Sequence, residues 1–129
     1  MLTCAPLGAK RVEDLIVWQL ANELRDKTYQ LMSTSKRPLD LKFRSQIEDA
    51  LGSSMRNIGE GFGRYHHKEF ARFLSYARGS VFEVAECLTD GVSRGYWSND
   101  AKQEAAHVCE RTIKASTRFI NYLRRTRDI

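Results

Sequence analysis

The sequence predicts an all-α protein, an up-down-up-down antiparallel four-helix bundle. Apolar residues recur at helical spacing through four stretches of roughly 20 to 28 residues, and no segment sustains the period-two alternation of a strand. Only Pro6 and Pro38 interrupt a chain of 129 residues. The connections between the periodic stretches are short, which makes consecutive helices antiparallel neighbours. A chain of this length suits one domain with its own core, here residues 12–129 behind a flexible arm at 1–11.

The first helix is expected from about Glu13, with Val17, Leu20, Ala21, Leu24, Thr28, Leu31 and Met32 on one side. Glu13 and Asp14 suit the positive end of its dipole. Pro38 cannot continue a helix and restricts the residue before it, so this one ends ahead of it. The second runs from about Leu41 to Gly63 over Phe43, Ile47, Ala50, Leu51, Ser54, Met55, Ile58, Gly61 and Phe62. The third, about Lys68 to Arg94, buries Phe70, Phe73, Leu74, Ala77, Val81, Val84, Ala85, Leu88 and Val92. After a turn at Gly95-Tyr96-Trp97, Ser98 or Asn99 can cap the fourth helix by accepting an early backbone N–H. Its inner side holds Ala101, Ala105, Val108, Cys109, Thr112, Ile113, Ser116, Phe119, Ile120 and Leu123.

No run approaches the roughly 18 apolar residues of a membrane span, and the first residues are too weakly apolar for a signal peptide. Cys4, Cys87 and Cys109 are odd in number and lack a Cys-x-x-Cys pair, which points to reduced thiols in a cytoplasm. The net charge of +5 is unevenly placed. Six of the 21 Lys/Arg (Arg111, Lys114, Arg118, Arg124, Arg125 and Arg127) fall in residues 111–129, where Asp128 is the only acid. The rest of the chain is neutral, so the whole excess sits on the fourth helix and points to an anionic partner.

Motifs carry a resemblance beyond periodicity. Leu15-Ile16-Val17-Trp18 in the first helix looks like a Leu-x-Val-Trp signature. Asn57-Ile58-Gly59-Glu60-Gly61-Phe62-Gly63 resembles an Asn-Ile-Ala-Glu-Gly-Phe-Gly hallmark, with Gly59 where alanine is usual. Lys68-Glu69-Phe70, Arg72-Phe73-Leu74 and Ala77-Arg78-Gly79-Ser80 match the block that follows it. Over residues 12–97 the chain is similar to the 23S rRNA intervening-sequence proteins, a family with relatives of the accessory variability protein of diversity-generating retroelements. The fourth helix matches in character more than in motif. The resemblance implies a small bacterial bundle that assembles as a ring-shaped homopentamer, without enzyme activity.

Catalytic and metal chemistry find no constellation. Gly59-x-Gly61-x-Gly63 closes a helix rather than opening one, unlike a phosphate loop, and reads as helix termination plus close backbone approach. Glu104-x-x-His107 is half of a di-iron motif and lies on the solvated side. His66-His67 lacks a third convergent ligand. No cofactor and no metal are expected.

Three polar sets remain. Ser54, Asn57 and Glu60 form a network within or beside the apolar arc of the second helix. Their partners lie either inside the bundle or on a neighbouring subunit. Arg72, Tyr76, Gly79 and Glu83 form a second stripe on the third helix. A mid-helix glycine costs about 1 kcal/mol against alanine, and close approach of another subunit would explain Gly79. Arg111, Lys114, Arg118 and Arg125 form a basic stripe on the fourth helix, with Tyr122 beside it and Arg124 and Arg127 extending it. The functional expectation is a non-enzymatic homo-oligomer, a pentamer, binding RNA or DNA through this stripe. The alternative is an adaptor ring that recruits an unidentified protein.

Overall fold

The computed structural model describes residues 8–64 and 66–127. Four helices follow a short 3-10 turn at Val12–Asp14: α1 (Ile16–Ser33), α2 (Leu41–Phe62), α3 (His67–Ser93) and α4 (Asn99–Arg125). No strand occurs among the described residues. α3 packs broadly against both α2 and α4, and α1 leans on α4 more than on α2. Sequential helices are therefore neighbours around an antiparallel bundle.

α1 starts three residues later than its pattern suggests. The Asp14 carboxylate accepts the backbone N–H groups of Lys10 and Arg11, each at 3.1 Å. Those bonds hold its pKa below the ordinary aspartate value. Leu15 is then extended and buried, so Glu13 and Asp14 close a separate turn ahead of the helix. Ala9 is buried too; the first seven residues of the expected arm lie outside the described residues. Beyond this offset, the seven positions expected on the inner side of α1 are its buried residues.

The caps follow side-chain chemistry. Asp40 Oδ2 accepts the Phe43 N–H at 3.1 Å to open α2, and Ser98 Oγ accepts the Ala101 N–H at 3.0 Å to open α4. Each such cap is worth about 1 kcal/mol.

The end of the bundle where α2 and α4 begin is stapled by the α3–α4 turn. Tyr96 Oη accepts the Asp40 N–H at 3.0 Å, and Tyr96 O accepts the Lys36 N–H at 3.0 Å. Trp97 is buried and donates its Nε1–H to Leu88 O at 2.9 Å. Phe43 completes the cluster, its ring centroid 5.0 Å from Tyr96 and 6.0 Å from Trp97. Trp97 fits because Gly91 has no side chain: a Cβ there would sit 2.2 Å from Trp97 Cζ2. Gly95 supplies the left-handed residue of the turn at φ +79°, a region side chains disfavour.

The core has two parts. One surrounds Leu24, Phe43, Ile47, Val84 and Leu88 at the stapled end, and the other Val17, Ile58, Phe70, Leu74 and Leu123 at the opposite end. Between them Ser54, Thr112 and Ser116 are buried, and each hydroxyl donates to a carbonyl of its own helix at 2.7 Å. Thr28 is also buried, and its hydroxyl has no partner among the described residues.

The glycine corner is simpler than its spacing suggests. α2 continues through Gly59 and Gly61, and Gly63 follows its last residue with an ordinary right-handed backbone, φ −76°. Only Gly61 must lack a side chain for packing, since a Cβ would lie 2.6 Å from Phe70 Cδ1 and 3.0 Å from Phe73 Cβ. Close approach, not a left-handed end, is the reason for this glycine. Phe73 itself is half-buried rather than core, while Ala71, Cys87 and Gly91 are buried instead. α3 therefore turns a slightly different arc inward than the pattern indicates.

Candidate nucleic-acid interface

The basic residues of α4 occupy its outer face. Arg111, Lys114, Arg118, Arg124 and Arg125 are exposed, as is Arg127 just beyond the helix, and Tyr122 is half-buried. Arg111 Nη1 lies 3.3 Å from Glu23 Oε2 of α1, and Lys114 Nζ lies 3.2 Å from Glu110 Oε1. Such surface pairs are worth only about 0–1 kcal/mol, so both cations remain exchangeable. Arg118, Arg124 and Arg125 have no ion pair among the described residues. At about 1.5 Å rise per residue, Arg111 to Arg125 spans roughly 21 Å.

Four of the seven stripe residues line two recesses. Arg118 and Tyr122 line a cleft of about 560 Å³ against residues 8–9 and 14–17, largely apolar in its walls. Arg124 and Arg127 instead line a groove of about 650 Å³ against Lys68, Glu69 and Arg72 of α3. Sequence reasoning did not bring Lys68 to this surface. Its proximity to the end of α4 is a tertiary fact that a single-helix wheel cannot show.

On α3, Arg72, Tyr76, Gly79 and Glu83 are all exposed. Arg72 Nη2 donates to Glu69 Oε1 at 2.9 Å and Nη1 to Tyr76 Oη at 3.3 Å. The Arg72 and Arg64 guanidiniums lie 5.1 Å and 4.9 Å from the Phe73 ring centroid, within cation–π range. A Cβ on Gly79 would meet nothing within 4 Å, so packing within the chain does not demand this glycine. Phe82 is 53% exposed and Tyr76 48%; Phe82 lies three residues beyond Gly79 and was missed by the sequence stripe.

The order of these elements matches a known family. The family model for the 23S rRNA-intervening sequence protein covers residues 13–118. The chain belongs to this family. A comparison with curated proteins finds no match. The family match takes in α1 to α3 and α4 as far as Arg118; Tyr122, Arg124, Arg125 and Arg127 follow it.

The family-like corner also places the three polar residues. Asn57 Nδ2 donates to Ser53 O at 2.9 Å and to Ser53 Oγ at 3.2 Å. Ser80 of α3 donates to Ser53 Oγ at 2.9 Å, so Asn57 reaches α3 through a serine pair. Ser54 bonds only within α2, to Leu51 O, and Glu60 pairs with Arg64 at 3.0 Å on the surface. The structure thus does not join Ser54, Asn57 and Glu60 into one network; Ser53 and Ser80 carry the link between helices. Both serines sit at the edge of their apolar arcs, where polarity alone gave no signal.

No group of three or more His, Cys, Asp or Glu side chains that could hold a metal ion occurs among the described residues. Glu104 pairs with Lys27 of α1 and raises its pKa. Cys87 and Cys109 are buried, and burial pushes the Cys109 thiol up to about 12, which opposes thiolate chemistry. No helix among the described residues is long and apolar enough to cross a membrane.

Proposed function

We propose that this chain is a non-enzymatic bundle that forms a homo-oligomer, a ring of five by the family resemblance, and binds RNA or DNA through the outer face of α4. One observation carries the reading. Arg118, Arg124 and Arg125 are exposed without an ion pair among the described residues, in the segment that holds the chain's entire excess charge. Phosphodiesters supply the missing counter-charges, and an oligomer repeats the surface in every subunit. No base-reading element is evident, so contacts to the backbone dominate and sequence preference is weak.

The assembly part of the reading is supported by the exposed aromatics Tyr76 and Phe82 around the open side of Gly79. Aromatic residues are enriched in protein interfaces, and a glycine there admits a second backbone closely. The buried free thiols of Cys87 and Cys109 suit a cytoplasmic setting.

The test is a salt titration of binding to short single-stranded and duplex RNA and DNA. Each lost contact should reduce the slope of log affinity against log salt by about 0.7 to 0.9. Changing Lys114, Arg118, Arg124 and Arg125 to glutamine should lower both affinity and slope with helicity intact. In light-scattering chromatography, Gly79→Leu should shift the wild-type multimer to smaller species; a wild-type monomer at micromolar concentration rejects the oligomer. Wild-type protein that binds no nucleic acid at low salt leaves the adaptor-ring reading in front.

A further inference from the structure

The groove between the first turns of α3 and the last turn of α4 gathers cations from two helices. Lys68 and Arg72 line one wall and Arg124 and Arg127 the other, with Glu69 as the one carboxylate among its described lining residues. Glu69 is already engaged: Arg72 Nη2 is 2.9 Å away and Arg64 Nη1 3.9 Å. Cations gathered from two helices repel one another, a cost that an anion in the gap would reverse.

The walls are tied together. His67 Nδ1 lies 2.8 Å from Thr126 Oγ1, and that hydroxyl donates to Tyr122 O at 3.0 Å. The first residue of α3 is thereby tied to the chain just beyond α4, at the junction of the two walls. Guanidinium forks match phosphate oxygens in pairs, and an ammonium adds a compact point charge. A tetrahedral dianion or a phosphodiester uses donors from both walls at once, which one planar carboxylate does less well.

We infer that this groove is a phosphate seat, with Lys68, Arg72, Arg124 and Arg127 as its donors. As the source of the phosphate we take a strand bound along α4, so this part rests on the nucleic-acid reading above. Arg118 and Arg125 would lead such a strand along α4 towards Arg124 and the groove. The same four donors would hold a free phosphate or pyrophosphate, and the two sources are separable by experiment.

The full chain is compared with two double variants, Lys68→Gln with Arg72→Gln on one wall and Arg124→Gln with Arg127→Gln on the other. Circular dichroism checks each fold and light-scattering chromatography each assembly, since Arg72 also lies on the expected subunit stripe, and the second pair serves if the first misfolds or disassembles. Inorganic pyrophosphate is assayed by thermal shift, and a short single-stranded RNA by fluorescence anisotropy at matched ionic strength. Both variants should lose the pyrophosphate-induced rise in Tm and bind the RNA at least tenfold more weakly. Weakened RNA binding in both, without a pyrophosphate effect in wild type, assigns the seat to the strand. A pyrophosphate effect lost in both variants, with no RNA bound by wild type, keeps the seat and rejects the nucleic-acid reading. RNA and pyrophosphate responses equal in wild type and both variants overturn the phosphate seat, while RNA binding by wild type would still stand.

Discussion

Gly91→Ala offers a sharp test of the stapled end, because its sign opposes helix propensity. Alanine is favoured over glycine in a helix interior by about 1 kcal/mol. At Gly91 the added methyl would lie 2.2 Å from Trp97 Cζ2, 2.4 Å from Cε2 and 2.8 Å from Nε1, where carbon atoms prefer about 3.5–4.0 Å. Trp97 is 4% exposed and held by its bond to Leu88 O, so the indole has nowhere free to go. Overpacking costs about 1–3 kcal/mol, and breaking the buried indole bond about 1–3 kcal/mol more. Net of propensity, about 1–5 kcal/mol should be lost. For a chain of this size each kcal/mol is worth about 3–5 °C, so Tm should fall by roughly 3–25 °C.

The control is Gly59→Ala, the same substitution in α2, where the methyl meets nothing within 4 Å. Stability there should rise by about 1 kcal/mol. Urea and thermal unfolding followed by circular dichroism at equal protein concentration measure both. A double-mutant cycle with Trp97→Phe should show coupling at Gly91 and none at Gly59. Gly91→Ala melting at or above wild type would refute the packing account of this turn.

Thr28→Val keeps the buried shape and removes a hydroxyl without a partner among the described residues; the urea midpoint should rise, by about 1 kcal/mol in stability. A lowered midpoint would mean the hydroxyl is bonded. Asn57→Leu removes the donor to Ser53 and should cost about 1 kcal/mol; unchanged Tm and unchanged assembly mass would mean the bond contributes nothing. Burial favours the neutral Cys109 thiol, so as pH rises past the 9.0 of an unburied thiol the unfolded chain ionises first and stability falls. At pH 8, alkylation of Cys109 followed by mass spectrometry should proceed only as fast as the chain opens; rapid labelling of the folded protein would contradict its burial.

What the sequence reveals is what local spacing controls. The inner side of α1 was legible because its seven residues answer to one helical period, and Ser98 because capping is a local bond. α3 was less so: it contacts helices on two sides, and Phe73 is held half-exposed between two guanidiniums rather than turned inward. The start of α1 slipped because Asp14 found backbone donors outside the helix. Tyr96 and Trp97 read as turn residues, yet their bonds reach Asp40, Lys36 and Leu88. Of the candidate site, the exposed face of α4 was visible on a wheel. That four of the stripe residues line two recesses depends on which helix lies on either side, and no residue of α4 encodes that alone.

The aromatic staple also couples two connections that are distant in the chain. The amides of Lys36 and Asp40 both sit behind bonds to Tyr96, so the α1–α2 connection cannot open without the α3–α4 turn. Hydrogen exchange should therefore show these two amides exchanging at one common rate, in step with the opening of the aromatic pole.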